Sequence, residues 1–356
     1  MRNKENIKEL MDALRTSTER EIHFDEEAIV SVYQKKETDQ SLAIKILSIF
    51  GGILACLAFI GFLFLAQIFS SKEGIILFGG ICIAGSAVLS RFSKKVITDT
   101  LSVSFYVTGF SLLGFGLSSH DNTMQLTFIG IALCVLLLVH NYILSFISVL
   151  ILNGSILSLI ITNDLYDLTY IFITVQALIV TFIFLNEAKI ITANRILSGL
   201  YDPVCIGMTL SFIAGLAYIG FEDELSIPVL TLYNGLSSAV IILAVLYVVS
   251  VLLKKLQVTH SRFKIIIYVL TALILLPTTL SPAISGAILV ILLSFLVNNK
   301  TGWVLACVAL ISFIGKLYYD LQFTLLTKSI LLFSSGIMFL AIYAFIHKKL
   351  ISHEKI

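Results

Sequence analysis

The residues best suited to chemistry lie near the C-terminal end of the sequence. Lys328 stands inside an apolar run, TLLTKSILLF, where an ammonium group is costly unless a partner or solvent reaches it. Asp320 lies four residues after Lys316, so the two side chains would share a helical face and could pair. Tyr318 and Tyr319 add two hydroxyl groups. The pattern predicts either a polar cavity lined by Tyr318, Asp320 and Lys328, or an interfacial anchor that fixes the depth of the last helix.

A second polar feature is a stripe of hydroxyl residues in the run VITDTLSVSFYVTGFSLL. Thr100, Ser104, Thr108 and Ser111 follow one another at spacings of four, four and three, and Asp99 lies beside them. These spacings place the hydroxyl groups on one face of a helix. Small hydroxyl residues allow close helix packing, which is the favoured interpretation, and a hydrophilic pathway is the alternative.

The break LPTTLSP is the favoured pointer to a binding site. It contains Pro277 and Pro282, two of the four prolines in the chain. Irregular backbone at membrane depth must line protein or water, so its carbonyl and amide groups could face a ligand. The motifs NGS at 153–155 and NGLSS at 234–238 also interrupt apolar runs, and they predict close helix contacts or local distortions.

Sequence motifs of enzymes, metal sites and nucleotide sites do not appear in the chain. It has no GxxxxGK[ST], HExxH or GxSxG, and no predicted segment pairs two buried acids. The five cysteines lie singly in apolar runs, without ligand spacing to one another or to histidine. We therefore expect no catalytic residues, no metal, no cofactor, no disulfide and no nucleic-acid partner.

The elements that must position these residues are membrane helices. Hydrophobic residues make up 58% of the chain and charged residues only 13%, against about 45–50% and 25% in soluble domains. The apolar residues form long runs, as the lipid bilayer requires of spanning helices. The composition predicts an all-α polytopic transmembrane bundle at 41–347, between a cytoplasmic amphipathic segment at 1–40 and a cytoplasmic tail at 348–356.

The predicted bundle has about twelve helices. Their expected bounds are 44–69, 75–90, 97–117, 123–139, 142–162, 168–186, 203–221, 229–253, 264–277, 282–297, 303–319 and 323–346. The pair 264–277 and 282–297 is short, so it could form a re-entrant hairpin, which would reduce the number of spans to ten.

The distribution of basic residues predicts the orientation. With both termini in the cytoplasm, thirteen lysines and arginines fall in cytoplasmic loops and the tail, whereas only Lys72 and Lys316 fall outside. This bias is the one that sets orientation in the membrane.

Three stretches of the sequence resemble an uncharacterised bacterial membrane family, domain-of-unknown-function family 4401. They are SLAIKILSIFGG, DTLSVSFYVTGFSLLGFGL and YYDLQFTLLTKS, the last followed by Gly336. The resemblance covers most of the chain after residue 40 and implies a location in the bacterial inner membrane. Members are often encoded beside a protein with a GDYXXLXY-type domain, which implies such a partner in the membrane or periplasm. The resemblance implies no activity.

Two functions remain open from the sequence. The first is a non-catalytic subunit or scaffold of a membrane complex, favoured by the small number of buried charges. The second is a small-solute transporter or permease-like protein, favoured by the number of spans. A transporter should have a hydrated cavity reaching the middle of the bilayer and lined by Asp99, Thr108 or the break at 277–282. A scaffold should have a closed core and an exposed docking groove. The oligomeric state is not predicted.

Overall fold

The computed structural model describes residues 71–92, 96–118, 122–139, 141–221, 231–256 and 261–320, with scattered helical positions between 50 and 65 and between 326 and 340. The predicted cytoplasmic segments at 1–40 and 348–356 lie outside the described residues. The chain divides into two compact units, Met1–Gly116 and Leu117–Ile356.

The described residues are almost entirely helical and contain no strand, which confirms the all-α class. In chain order the helices are α1 (Lys72–Phe92), α2 (Val96–Leu117), α3 (Thr123–Leu138), α4 (Tyr142–Thr162), α5 (Tyr166–Leu185), α6 (Glu187–Ala193), α7 (Arg195–Gly220), α8 (Thr231–Lys255), α9 (Ser261–Leu275), a 3-10 helix (Leu276–Leu280), α10 (Pro282–Val297) and α11 (Lys300–Asp320). Within the described part of the chain, seven helices are long and apolar enough to cross a membrane: α1, α2, α4, α5, α7, α8 and α11.

Two local features differ from the predicted bounds. Helix α7 begins at Arg195 and contains Pro203, where the sequence predicted its start. The Asn194 side chain accepts a hydrogen bond from the Ile196 N–H at 3.3 Å, so the helix is capped a full turn and more before the proline. The short helix α6, Glu187–Ala193, was not predicted, because its seven residues are too few to show a hydrophobic period.

The first unit is held together by close contact between α1 and α2. A Cβ atom placed on Gly109 would lie 2.5 Å from Ile83 Cγ1 and 2.9 Å from the Gly79 carbonyl oxygen. Only glycine permits such an approach, and the two backbones gain packing contacts along the crossing. Ile75 and Leu112 are buried in the same interface.

The second unit surrounds an apolar core contributed mainly by α5, α7, α8 and α10. Its largest fully buried side chains include Phe184, Phe212, Ile241 and Leu289. Gly286 of α10 lies directly against the Leu216 side chain of α7, where an added Cβ would come within 2.5 Å of it. The core is therefore tightly packed at this level of the bundle.

The two helices α9 and α10 are short, as the sequence predicted. Helix α9 has 15 residues and α10 has 16. At about 1.5 Å per residue they reach about 23 and 24 Å, less than the hydrocarbon thickness of about 30 Å. Helix α9 packs on α8, whereas α10 packs on α7, α8 and α11. A full crossing and a re-entrant hairpin both remain compatible with these lengths.

Candidate functional site

Three helices of the second unit meet around polar side chains at mid-height. Asn153 lies near the middle of α4, Gln176 near the middle of α5, and Ser211 in the second half of α7. Their exposed fractions are 5%, 2% and 9%. Uncharged polar groups in the apolar centre of spanning helices are costly unless they hydrogen-bond. Their hydrogen bonds therefore decide what the site can do.

Asn153 links all three helices. Gln176 Nε2 donates to Asn153 Oδ1 at 2.8 Å, and Asn153 Nδ2 donates to the Val149 carbonyl oxygen at 2.8 Å. The same Nδ2 lies 3.4 Å from Met208 Sδ of α7, a weak acceptor. Both the oxygen and the nitrogen of the Asn153 amide therefore have partners within the protein, and the hydrogen bond to its oxygen orients the Gln176 side chain.

Two polar atoms of the site have no partner. Gln176 Oε1 and Ser211 Oγ are buried, and neither makes a hydrogen bond. Both residues line a cavity of about 300 Å³ between α4, α5 and α7. Pockets that hold small ligands or anchoring side chains begin at about this size. A buried acceptor without a partner calls for an explanation, and an incoming donor would supply one.

The cavity opens sideways through small residues. Gly154 of α4 and Ala214 of α7 are exposed at its mouth, and Leu150, Leu157, Phe172 and Leu210 form its apolar walls. We call this cavity the lateral groove, with Asn153, Gln176 and Ser211 as its floor. Because its mouth lies midway along spanning helices, it faces the apolar phase of the membrane.

Glycines of α7 allow close helix packing beside the groove. A Cβ on Gly207 would lie 3.0 Å from Val149 Cγ1, so α7 approaches α4 closely there. A Cβ on Gly215 would lie 3.1 Å from Ile173 Cγ1 and 3.3 Å from Gln176 Oε1. The buried amide oxygen of Gln176 therefore lies against the backbone of α7 at the floor of the groove.

The chemistry available to the groove is hydrogen bonding alone. Its lining carries an amide pair and a hydroxyl group but no titratable side chain. Gln176 Oε1 accepts only, whereas Ser211 Oγ accepts and donates. The groove is therefore suited to recognition of an apolar body that carries at least one N–H or O–H donor.

Gln176→Leu is expected to lower the free energy of unfolding by about 1–2 kcal/mol, because Asn153 Oδ1 loses its donor in an apolar setting. Thermal unfolding in detergent measures the loss. The matched test is a double-mutant cycle with Asn153→Leu: the double variant should lose less than the sum of the two single variants. Additive losses would show that the two amides are not coupled.

The predicted C-terminal cluster is only partly described. Lys316 lies on α11 with Nζ 5.6 Å from the centre of the Phe221 ring, a cation–π distance. Tyr318 and Tyr319 contact each other edge to face, with ring centres 5.8 Å apart. Asp320 ends α11, and Lys328 lies outside the described residues. The cavity predicted from these residues therefore remains a prediction, as does the anchor.

The hydroxyl stripe lies in the first unit. Thr108 is buried in α2, and Asp99 is half-buried in its first turn. A Cβ on Gly52 would lie 2.5 Å from Ser104 Oγ and 2.9 Å from Thr100 Cγ2. Another helical segment thus packs directly on this end of the stripe, and the choice between close packing and a hydrophilic pathway stays a prediction.

The break between α9 and α10 is folded as a 3-10 helix. Pro277 lies within it, and Pro282 occupies the first position of α10, where a proline needs no N–H partner. The Thr278 and Thr279 hydroxyl groups donate to the Leu275 and Leu276 carbonyl oxygens at 2.7 and 2.8 Å. These carbonyl groups are therefore partnered inside the break, and ligand binding there stays a prediction.

The floor of the groove was not predicted as a site. Asn153 belongs to the NGS motif, from which the sequence predicted a close helix contact or a local distortion. Gln176 and Ser211 were not predicted, because neither side chain is ionisable and neither interrupts its helix. The signal was present: Gln176 is an amide in the middle of an otherwise apolar run, TYIFITVQALIVTFIFL. A search for isolated Asn and Gln near the middle of predicted spans would have found two of the three residues.

The family of the chain can be assigned by comparison with known proteins. A family described as "Domain of unknown function (DUF4401)" matches residues 41–349. The curated proteins and the solved structures contain no match to the chain. The match agrees with the resemblance that the sequence motifs predicted, and it spans both the hydroxyl stripe and the lateral groove.

Proposed function

The chain belongs to the DUF4401 family, a domain of unknown function, and we propose that it is a non-catalytic subunit of a membrane complex whose lateral groove docks a transmembrane segment of the partner. The observation that carries this proposal is the pair of buried, unpartnered polar atoms, Gln176 Oε1 and Ser211 Oγ, at the floor of a groove that opens sideways.

The direction of the opening favours docking over transport. A solute pathway must connect the groove to an aqueous end of the bundle. In the second unit the neighbouring core is filled by large apolar side chains such as Phe212 and Leu216, which are fully buried. The groove instead has its mouth at Gly154 and Ala214, midway along the spans. A small-solute transporter is therefore the less favoured alternative.

The polar atoms of the groove also restrict what can bind there. An acyl chain carries no donor and would leave both polar atoms unpartnered. A transmembrane helix with Ser, Thr, Asn or Gln can insert one side chain as the donor. Small residues at the mouth allow its backbone to approach, and an interhelical hydrogen bond in a membrane contributes about 0.6–2 kcal/mol. The partner segment is thus expected to be apolar, with one uncharged polar residue near its centre.

The setting of this subunit follows from the sequence and the family resemblance. We place it in the bacterial inner membrane with both termini in the cytoplasm, in a bundle of about twelve spans or ten. The GDYXXLXY-type protein is the partner that the resemblance implies. No activity as an enzyme and no nucleic-acid binding form part of the proposal.

The orientation makes a separate prediction. Reporter fusions after Glu222 and after Lys254 should report opposite sides of the membrane, with Lys254 in the cytoplasm, because α8 separates them and carries lysines at its end. Reporters on the same side would overturn the proposed orientation and the count of spans.

Affinity purification of the full chain in mild detergent tests the proposed function. We expect one integral membrane protein to copurify in fixed ratio and to be identified by mass spectrometry. Purification of the chain alone, combined with uptake of a small solute by proteoliposomes, would overturn docking in favour of transport.

A further inference from the structure

A second opening, between α5 and α8, differs from the lateral groove in shape and chemistry. The two helices are joined by a hydrogen bond of 2.8 Å between Thr174 Oγ1, near the middle of α5, and Ser237 Oγ, in the first part of α8. Towards their C-terminal ends a cleft of about 510 Å³ lies between them. Leu178 and Phe182 of α5 and Leu243 of α8 line it, and all three side chains are exposed. We call this the α5–α8 cleft.

Two polar side chains of the cleft donate to carbonyl groups of their own helix. Thr181 Oγ1 donates to the Ala177 carbonyl oxygen at 2.7 Å, and Asn186 Nδ2 donates to the Phe182 carbonyl oxygen at 3.0 Å. The rest of the lining is aliphatic or aromatic, and its one further polar group is the Tyr247 hydroxyl. Most of the wall of the cleft can therefore contact a hydrocarbon chain.

Lysines lie beyond the cleft, past the C-terminal ends of its two walls. On α8 the lining positions are Val240, Leu243, Ala244, Tyr247 and Val251, which recur at helical spacing. The next turn on the same face brings Lys254 and Lys255, both exposed at the end of the helix. On the other wall, Asn186 ends α5 and exposed Lys189 follows on α6. Two acids, Glu187 and Asp202, lie towards this end, where both act on Tyr201, and the three lysines outnumber them.

We infer that the α5–α8 cleft is a binding site for an anionic phospholipid. The acyl chain lies along Leu178, Phe182 and Leu243, and the phosphate lies among Lys189, Lys254 and Lys255. An apolar slot with lysines at its end has the chemistry of an amphiphile with an anionic headgroup, and basic pockets between membrane helices bind such lipids. This inference does not depend on the proposed docking function, because it concerns a different pair of helices.

Native mass spectrometry of the full chain from lipid nanodiscs tests the inference. The chain should retain phosphatidylglycerol in preference to phosphatidylcholine. The double variant Lys254→Gln/Lys255→Gln should weaken phosphatidylglycerol retention about fivefold per lysine and leave phosphatidylcholine unchanged. The control Lys264→Gln/Lys300→Gln removes the same charge elsewhere and should have little effect.

A second variant separates the cleft from general surface charge. Leu243→Trp should fill the cleft and reduce phosphatidylglycerol retention at least fivefold, although all lysines remain. Equal retention of the two lipids by the unaltered chain would overturn the inference. So would an equal loss in the control double variant, or full retention by Leu243→Trp.

Discussion

Gly154→Leu is expected to reduce copurification of the partner at least tenfold while leaving insertion and folding intact. Gly154 is exposed at the mouth of the lateral groove, and no atom lies within 4 Å of a Cβ placed there. The Cβ atom of a leucine therefore meets open space in the isolated protein, and the side chain is expected to occupy the space that the partner needs. Quantitative mass spectrometry of the affinity-purified complex measures the loss.

Gly130→Leu provides the matched control. Gly130 of α3 is also exposed, with nothing within 4 Å of an added Cβ, but it does not line the groove. This variant should retain the partner at the level of the unaltered chain. If Gly154→Leu keeps the partner and its thermal stability is unchanged, the groove is not the docking site. If both variants lose the partner equally, added bulk on the surface is responsible rather than the groove.

Gly109→Leu should destabilise the first unit by about 3 kcal/mol, the upper end of the usual cost of overpacking. The added side chain would meet Ile83 and the Gly79 carbonyl oxygen, and a backbone atom cannot move aside as a flexible side chain can. The two helices must therefore separate and lose their contacts. The rate of maleimide labelling of Cys82, which is buried in α1, measures the opening in a chain whose other cysteines are replaced by alanine.

Gly80→Leu controls for the change of residue type. Gly80 lies on the same helix as Gly79 but is exposed, with nothing near an added Cβ. Labelling of Cys82 in this variant should match the unaltered chain. Slow labelling of the Gly109→Leu variant would contradict the close crossing of α1 and α2.

Helix type and several boundaries could be predicted because their causes are local. Asn141 accepts hydrogen bonds from the Ile143 and Leu144 N–H groups at 3.0 and 3.4 Å, and α4 begins at the predicted residue. Pro282 starts α10 at the predicted residue for a similar reason, since its fixed φ suits the first turn. The predicted start of α7 was wrong, because the prediction took Pro203 as the first residue, whereas the Asn194 cap begins the helix at Arg195.

The lateral groove could not be predicted from local patterns. It exists because Gly207 and Gly215 bring α7 against α4 and α5, and the sequence does not specify which glycines face which helix. Gln176 and Asn153 form a hydrogen bond between α5 and α4. Both helices are apolar all round, so the hydrophobic period does not show which face of each helix points towards the other. Only the three-dimensional arrangement places Ser211 beside them.

The most direct test of lateral docking is a photo-crosslink from the mouth of the groove. With p-benzoylphenylalanine at Ala214, illumination of native membranes should join the chain to one membrane protein. Peptide mapping should place the adduct in an apolar segment with a central Ser, Thr, Asn or Gln, and Gly154→Leu should abolish it. The same reagent at Gly130 should not form this adduct. Adducts with lipid alone at Ala214, or the same protein adduct from both positions, would contradict the account.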